Sequence, residues 1–265
     1  MPEGLEAEIW RRAAMPLIGR TIERIRVDER VAPPEIECRL VGARIVGVSR
    51  IGKVVLFDLA DAVETETLGL HFGMTGRLII DGVAPIERLE YASAADRPKW
   101  DRLRIWTETS VDGASEPVAL RLNDPRRLGR VSLDPDFSAM GPDALTLRRN
   151  ELAGRLRGRR LAVKSALLDQ TIVAGLGNLC ADEVLLWAGV APARPVDELT
   201  GADVTALAQA CREQLPAMLR RGGSTAGRLD PERRTAPGRC PFDGAPLVRS
   251  TIGGRTAVWC PQHQR

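Results

Sequence analysis

The sequence predicts an α+β protein with more than one domain. Eight short segments with alternating, β-branched residues fill the first half, and Gly, Pro and Asp punctuate them, as in a β-sandwich or barrel. Beyond residue 150 the apolar residues recur at helical spacing instead. The length of 265 residues is sufficient for two hydrophobic cores.

The N-terminal part is predicted to be one helix followed by the strands. The helix covers about residues 3–15, with a proline at its start and acidic residues in its first turn. The strand segments are 21–27, 42–51, 53–60, 67–72, 77–81, 102–106, 118–124 and 130–134. Residues 84–98 have the composition of a surface excursion. We therefore expect residues 1–135 to form an N-terminal domain and residues 136–150 a linker.

Residues 151–225 are predicted to form a helical domain, and residues 226–265 a C-terminal module. Two helices flank the turn "TIVAGLGN", in which Asn178 takes the expected N-cap position. Gly175 and Gly177 let backbone N–H groups approach an anion such as phosphate, although an ordinary helical hairpin would have the same pattern. Farther on, Pro216 is expected to bend or interrupt a long helix.

Composition limits the class of protein. With 44% hydrophobic residues, no long apolar run and no secretory signal, the chain is predicted to be soluble and cytoplasmic, with no membrane partner. Five cysteines, an odd number, argue against a disulfide framework. Residues 151–265 hold 16 of the 38 basic and 11 of the 35 acidic side chains, a local basic excess that is compatible with nucleic-acid binding.

The opening "MPEGLE" has two interpretations. Removal of the initiator methionine would expose the secondary amine of Pro2, and an α-amine with a pKa of about 7.7–8.0 is partly unprotonated near neutral pH and so can be a nucleophile. The alternative is structural, because a proline and acidic residues are also favoured in the first turn of any helix.

Six motifs occur in one order along the chain: "MPEGLE", "GKVVLF", "HFGMTGRL", "NDPRRLG", "LLDQTIVAGLGN" and "GRTAVWCPQHQ". Together they resemble the formamidopyrimidine-DNA glycosylase / endonuclease VIII family over essentially the whole chain. The resemblance implies an N-terminal helix plus β-sandwich, a helix–two-turn–helix helical domain and a C-terminal zinc-finger-type β-hairpin. It also implies a bacterial, nucleoid-associated monomer that acts on damaged double-stranded DNA in base excision repair.

The same resemblance implies a bifunctional DNA glycosylase and abasic-site lyase. Pro2 would attack C1′ of the damaged nucleotide and form a Schiff base, followed by β- and δ-elimination. Glu3 would carry protons, and Glu6 lies one turn farther along the same helix face. Lys53 would contact the lesion or its phosphate and assist elimination. Arg255 would grip phosphates beside the lesion.

A second group is predicted to bind DNA: His71, Met74, Arg126, Leu128, Lys164 and Asn178. His71, Met74 and Arg126 match family positions that reach into the duplex and fill the space left by the flipped nucleotide. Leu128 stands where the formamidopyrimidine branch usually has Phe, so its stacking on the bases should be weaker. Each of these residues could instead be an ordinary core or surface residue.

The C-terminal module is predicted to bind a structural Zn²⁺. The family's finger is Cys-x2-Cys-x16-Cys-x2-Cys, whereas the same spacing here reads Cys240, Asp243, Cys260 and His263. All four are zinc-ligand types, although Asp is a less usual one. A hairpin without zinc, with two free thiols, is the alternative.

The sequence combines features of two branches of the family. Trp100 and Arg102 replace two histidines of the formamidopyrimidine branch, and the segment between "RRGGSTAG" and Cys240 is shorter than the loop that closes over 8-oxoguanine. We therefore expect ring-opened purines, oxidised pyrimidines and abasic sites as substrates, with poor 8-oxoguanine removal. Two other hypotheses are a non-catalytic binder of damaged or structured DNA, and a metabolic or scaffolding protein with accidental motif matches.

Overall fold

A computed structural model describes residues 2–32, 35–61, 64–86, 89–90, 95–108, 118–235 and 238–265. The chain divides into two compact units. The first contains Glu6–Phe137 together with Pro2, and the second contains Glu3–Leu5 and Ser138–Arg265. The predicted surface excursion over 84–98 lies partly outside the described residues. Met1 also lies outside them.

The first unit contains two antiparallel sheets. Helix α1 (Gly4–Ala14) is followed by β1 (Ile22–Val27), α2 (Glu35–Leu40), β2 (Arg44–Ile51), β3 (Val54–Ala60), β4 (Thr65–His71), β5 (Arg77–Ile80), β6 (Asp101–Thr107), β7 (Val118–Asn123) and β8 (Arg130–Leu133). The sheets have the strand orders β1-β6-β7-β5 and β2-β3-β4-β8. All eight strands fall on predicted segments, and the predicted fold class is confirmed.

One hydrophobic core joins both sheets to helix α1. Trp10 from the helix, Ile25 and Leu103 from one sheet, and Phe57 and Leu70 from the other are all at most 2% exposed. Alternation along the strands produces this core, because every second side chain faces the same side of a sheet.

Helix α2 was not predicted from the sequence. Its six residues bury only Ile36 and Leu40, which are four apart and therefore lie on the same face of the helix. A helix this short gives a weak periodic signal.

The second unit is helical and ends in a hairpin. It contains α3 (Arg149–Leu156), α4 (Val163–Leu168), α5 (Asn178–Ala188), α6 (Gly201–Arg220), α7 (Pro231–Thr235) and the antiparallel pair β9 (Val248–Ile252) and β10 (Arg255–Trp259). Helix α6 continues past Pro216, so of the two expected effects the interruption is wrong and the bend stays a prediction. A capping box of Thr200 and Asp203 and a row of buried side chains stabilise α6 along its length. In the described parts of the chain, no helix has the length and apolar character needed to cross a bilayer.

Candidate active site

The carboxylate of Glu3 lies at the start of helix α5 in the second unit. Its Oε2 accepts hydrogen bonds from the N–H groups of Gly177 (2.8 Å) and Cys180 (3.1 Å), and its Oε1 accepts one from Leu179 (2.8 Å). Glu3 is only 1% exposed. Unpaired N–H groups at a helix N-terminus favour an anion. These three N–H groups of the predicted anion-binding turn therefore hold the chain's own carboxylate, and a phosphate at this turn stays a prediction.

Glycines make this close approach possible. The N–H of Gly4 donates to the carbonyl of Gly175 at 2.8 Å, and a Cβ on Gly4 would lie 2.9 Å from that oxygen. A Cβ on Gly177 would lie 2.4 Å from the carboxyl carbon of Glu3. Gly175 has φ +99°, in the left-handed region that favours glycine. The "GLGN" turn therefore requires glycine at both of its glycine positions.

Pro2 directly precedes Glu3 in the chain, and Glu6 follows it three residues later. Both Pro2 and Glu6 are buried and belong to the first unit. Glu6 is 3% exposed and lies on the first turn of α1. The residue predicted to supply the amine is thus covalently adjacent to a carboxylate that is fixed by three backbone N–H groups.

Lys53 lies in the β2–β3 turn, which a buried ion pair fixes to helix α1. Arg50 donates to the carbonyl of Gly52 at 2.6 Å and to Glu8 Oε2 at 3.3 Å. Burial opposes ionisation of Glu8, but hydrogen bonds from arginines one turn along α1 outweigh it and lower the pKa of Glu8 to about 2. Lys53 itself is half-buried. Glu8 therefore anchors the turn that contains Lys53, a role that the sequence did not indicate.

His71 ends strand β4 opposite Val54, the residue after Lys53. Its Nδ1 accepts a hydrogen bond from the N–H of Gly73 at 3.2 Å, so the ring proton of the neutral form is on Nε2. Burial, with the nearby charges of Lys53 and Arg130, lowers the pKa of His71. His71 is therefore neutral at pH 7 and offers an N–H donor.

The β7–β8 loop carries Arg126 and Leu128, and the carboxylate of Asp124 organises it. Asp124 is fully buried, and its Oδ2 accepts the N–H groups of Leu128 (2.7 Å) and Gly129 (2.8 Å). Its Oδ1 accepts the N–H of Arg126 at 3.2 Å and the hydroxyl of Thr75. Both Arg126 and Leu128 are exposed, and Leu128 is 42% exposed.

The β4–β5 loop, with Met74, lies against this β7–β8 loop. A Cβ on Gly73, which has φ +57°, would lie 2.4 Å from the carbonyl of Leu128. Three of the predicted DNA-contacting residues therefore lie on two touching loops of the first unit, namely Met74, Arg126 and Leu128, and a fourth, His71, is the last residue of the strand that leads into one of them.

Arg255 is the exposed first residue of strand β10, directly after the tight turn formed by Gly253 and Gly254. Both glycines have left-handed φ values, +54° and +73°. A Cβ on Gly253 would lie 2.5 Å from the hydroxyl of Ser165 in α4, so the turn packs closely on that helix.

The structure corrects two predictions in the second unit. Lys164 is 0% exposed and its Nζ lies 2.6 Å from Asp182, so the prediction that it contacts DNA is wrong. The N-cap of α5 is Gly177, and Asn178 is the first helical residue. The Oδ1 of Asn178 has no hydrogen-bond partner among the described residues, and the DNA contact predicted for Asn178 stays a prediction.

Three of the four predicted zinc ligands converge. Ligand atoms of Cys240, Asp243 and Cys260 all lie within 4.8 Å of one another. The sulfur of Cys260 lies 3.4 and 3.5 Å from the two carboxylate oxygens of Asp243. Two ligands of a tetrahedral zinc, at about 2.3 Å for sulfur and about 2.0 Å for oxygen, are about 3.5 Å apart, so this pair fits the metal.

His263 does not belong to this group of three. Its Nε2 lies 2.9 Å from the carbonyl oxygen of Leu186, and its ring stacks on Phe242 at 4.4 Å. A carbonyl can only accept, so Nε2 carries the proton and Nδ1 keeps its lone pair.

Comparisons with known proteins agree with this geometry. The family model for the formamidopyrimidine-DNA glycosylase N-terminal domain matches residues 1–131, and the model for the H2TH domain of the same glycosylase matches residues 139–229. The formamidopyrimidine-DNA glycosylases of Paracoccus denitrificans and Stenotrophomonas maltophilia are each 33% identical over the full length of both chains. The chain belongs to the formamidopyrimidine-DNA glycosylase family. The predicted family and enzyme class, a DNA glycosylase, are therefore confirmed.

Solved structures of this family include DNA complexes. Lactococcus lactis Fpg with DNA containing N7-benzyl-Fapy-dG is 25% identical, covers 100% of both chains and has a TM-score of 0.80. The complex of L. lactis Fpg with abasic-site DNA is 26% identical, covers 99% of both chains and has a TM-score of 0.79. A further L. lactis complex, at 26% identity, full coverage and TM-score 0.80, contains an oxidised pyrimidine.

Proposed function

We propose that this protein is a bifunctional DNA glycosylase and abasic-site lyase that binds damaged double-stranded DNA. The observation that carries the proposal is the carboxylate of Glu3, which is buried, held by backbone N–H groups and adjacent in sequence to Pro2. With methionine removed, the Pro2 amine would be the nucleophile. Its lone pair would form a bond to C1′, and the damaged base would leave with the electrons of its glycosidic bond.

Glu3 is assigned the proton transfers of this reaction. Both of its oxygens accept hydrogen bonds from backbone N–H groups, which fix the carboxylate beside Pro2. It would receive a proton from the attacking amine and return one to the leaving group or the sugar.

The strand would be cut in two further steps. The sugar ring first opens: the C1′–O4′ bond breaks, O4′ takes up a proton and the Schiff base forms. Loss of a proton at C2′ of the Schiff base then breaks the C3′–O3′ bond, and a second elimination breaks the C5′–O5′ bond. Water then releases the sugar fragment from Pro2, and the duplex is left with a one-nucleotide gap. Lys53 would assist the eliminations, and Arg255 would bind the phosphate that leaves in the second one.

Borohydride trapping tests this chemistry. The purified protein, with loss of Met1 checked by mass spectrometry, is incubated with an abasic-site duplex and borohydride, beside Pro2→Gly. We expect a covalent adduct that Pro2→Gly loses. A protein that lacks Met1 and binds the duplex without forming an adduct would instead support the non-catalytic damaged-DNA binder.

The proposed substrates are ring-opened purines, oxidised pyrimidines and abasic sites, with poor removal of 8-oxoguanine. The segment between Gly227 and Cys240 is short, and the buried Arg234 of its helix α7 forms an ion pair with Asp182. A short segment that is fixed in this way supports poor closure over 8-oxoguanine. The DNA in the L. lactis complexes contains the same three lesion classes. Single-turnover strand cleavage ranks four matched duplexes that carry a ring-opened purine, an oxidised pyrimidine, an abasic site or 8-oxoguanine, and fastest cleavage at 8-oxoguanine would contradict the assignment.

We also propose that Cys240, Asp243 and Cys260 bind a structural zinc ion, with His263 Nδ1 as the fourth ligand. A metal-bound histidine usually donates its other N–H to a carbonyl or carboxylate, as His263 does to Leu186. The ion would hold the hairpin together and take no part in the reaction.

Metal analysis distinguishes a hairpin that binds zinc from a hairpin without zinc. We expect about one equivalent of zinc per chain, lost in Asp243→Ala and His263→Ala and retained in Cys38→Ser, whose thiol is exposed elsewhere. Cobalt substitution should add a thiolate-to-metal absorption band. If the folded wild-type protein contained no metal, the result would support the alternative, a hairpin without zinc that has two free thiols. Metal retention in His263→Ala would remove His263 from the ligand set.

A further inference from the structure

Three buried charged side chains form one network in the second unit. Asp182, on helix α5, lies 2.6 Å from Lys164 Nζ through one carboxylate oxygen and 2.9 Å from Arg234 through the other. The side chains of all three are at most 7% exposed. Burial lowers the pKa of Lys164, and the charge of Asp182 acts in the opposite direction.

Two members of this network bind the backbone of strand β10. Lys164 Nζ donates to the carbonyl of Thr256 at 2.6 Å, and the N–H of Val258 donates to Asp182 at 3.1 Å. Residues 256 and 258 are two apart, so their backbone groups face the same edge of the strand. Thr256 directly follows Arg255. Side chains from α4 and α5 therefore complete the hydrogen bonding of the strand that carries Arg255.

Arg234 adds a third connection, from helix α7. Its guanidinium pairs with Asp182, and its carbonyl accepts a hydrogen bond from Arg249 of strand β9. Its NH1 is buried with no hydrogen-bond partner among the described residues. A network that buries three charges and leaves a donor unpaired is weak evidence for stability, because pairing rarely repays the full desolvation cost. Its consistent geometric effect is to fix both strands of the hairpin.

We infer that Lys164, Asp182 and Arg234 are positioning residues that fix Arg255 for the second elimination. The inference rests on the proposed role of Arg255. None of the three touches the DNA in this assignment, since all are buried. They act through the backbone of β10, and a displacement of about 1 Å in a catalytic group is enough to slow a reaction substantially.

The test measures the ratio of β- to δ-elimination products on an abasic-site duplex in a single turnover. Arg234→Met is the main variant, because it leaves the Lys164–Asp182 pair intact, whereas Asp182→Asn could fail to fold. We expect Arg234→Met to shift the ratio toward the β-product by about tenfold, and Arg234→Lys to restore most of it. Arg194→Met, which breaks the 3.0 Å ion pair with Asp203, is the matched control and should leave the ratio unchanged.

A double-mutant cycle distinguishes positioning from general destabilisation. In an Arg255→Ala background, Arg234→Met should have no further effect on the product ratio. A lower melting temperature with an unchanged ratio would overturn the inference, and so would an additive effect in the double variant. Hydrogen exchange at the Val258 amide should rise in Arg234→Met, as a readout independent of activity.

Failure of the proposed function would give results that differ from failure of the positioning inference. If folded wild-type protein gave no borohydride adduct, the lyase assignment would fail before the network was tested. If adducts formed normally but Arg255→Ala left the product ratio unchanged, the role of Arg255 would be wrong. Normal trapping with a shifted ratio in both single variants is the result expected for positioning.

Discussion

Two buried glutamates five residues apart, Glu3 and Glu8, are held in opposite ways. Glu3 accepts hydrogen bonds from the backbone N–H groups of Gly177, Leu179 and Cys180, whereas Glu8 accepts bonds from the side chains of Arg11, Arg12 and Arg50. Arginines lower the pKa of Glu8 to about 2 and keep it ionised. Backbone N–H groups therefore hold the candidate proton carrier, Glu3, whereas arginine side chains hold the structural anchor, Glu8.

The largest expected effect comes from Glu3→Gln. The amide keeps the size of the side chain but cannot carry the proton, so single-turnover base excision should fall by about 10²- to 10⁴-fold. The equivalent Glu8→Gln variant should keep most of its activity per folded molecule. Equal losses in the two variants would show that the difference between the two environments has no bearing on catalysis.

Sequence patterns predicted the strands, because alternation and Gly/Pro/Asp punctuation are local signals. They also predicted Glu3, although only through the family motif. The contacts of Glu3 were not foreseen, since its partners are more than 170 residues away in the chain. Asp124 was within a quoted motif but was not singled out. Asp182 stands out as an acid in an apolar helix, yet nothing local indicates that Arg234 is its partner.

Gly177→Ala tests the same site from the side of the donors. The added Cβ would lie 2.4 Å from the carboxyl carbon of Glu3 and would push it away from the N–H groups. We expect excision to fall by about 10²-fold, as for other catalytic groups misplaced by about 1 Å. Gly154→Ala is the control, because its Cβ would meet nothing within 4 Å. Full activity in Gly177→Ala would mean that this anchoring of Glu3 is dispensable.

Asp124 is a third buried carboxylate, and it is held by N–H groups as Glu3 is. Because it organises the loop that carries Arg126 and Leu128, Asp124→Asn should weaken that loop without changing proton transfer. A lost charged hydrogen bond costs about 1.5 kcal/mol or more, so we expect about a tenfold loss in affinity for lesion duplexes. Fluorescence anisotropy measures the affinity, and borohydride trapping at saturating protein should stay normal. A trapping defect at saturation would give Asp124 a role beyond the loop.

The smallest effect on activity, and the clearest dependence on pH, is expected for Glu8→Gln. The folded-state pKa of Glu8 is about 2, below its ordinary value of 4.5. Ionised Glu8 therefore stabilises the fold above pH 4.5, and this contribution is lost as the pH falls toward 2. Each pKa unit corresponds to about 1.4 kcal/mol, so the drop from 4.5 to about 2 should make the free energy of unfolding of wild type up to about 3.5 kcal/mol larger than that of Glu8→Gln at pH 7. Urea unfolding of both proteins from pH 7 to pH 3 measures this difference, which should be constant down to about pH 4.5 and shrink below it. A difference that stays constant down to pH 3 would mean that packing, and not the charge of Glu8, anchors the turn that contains Lys53.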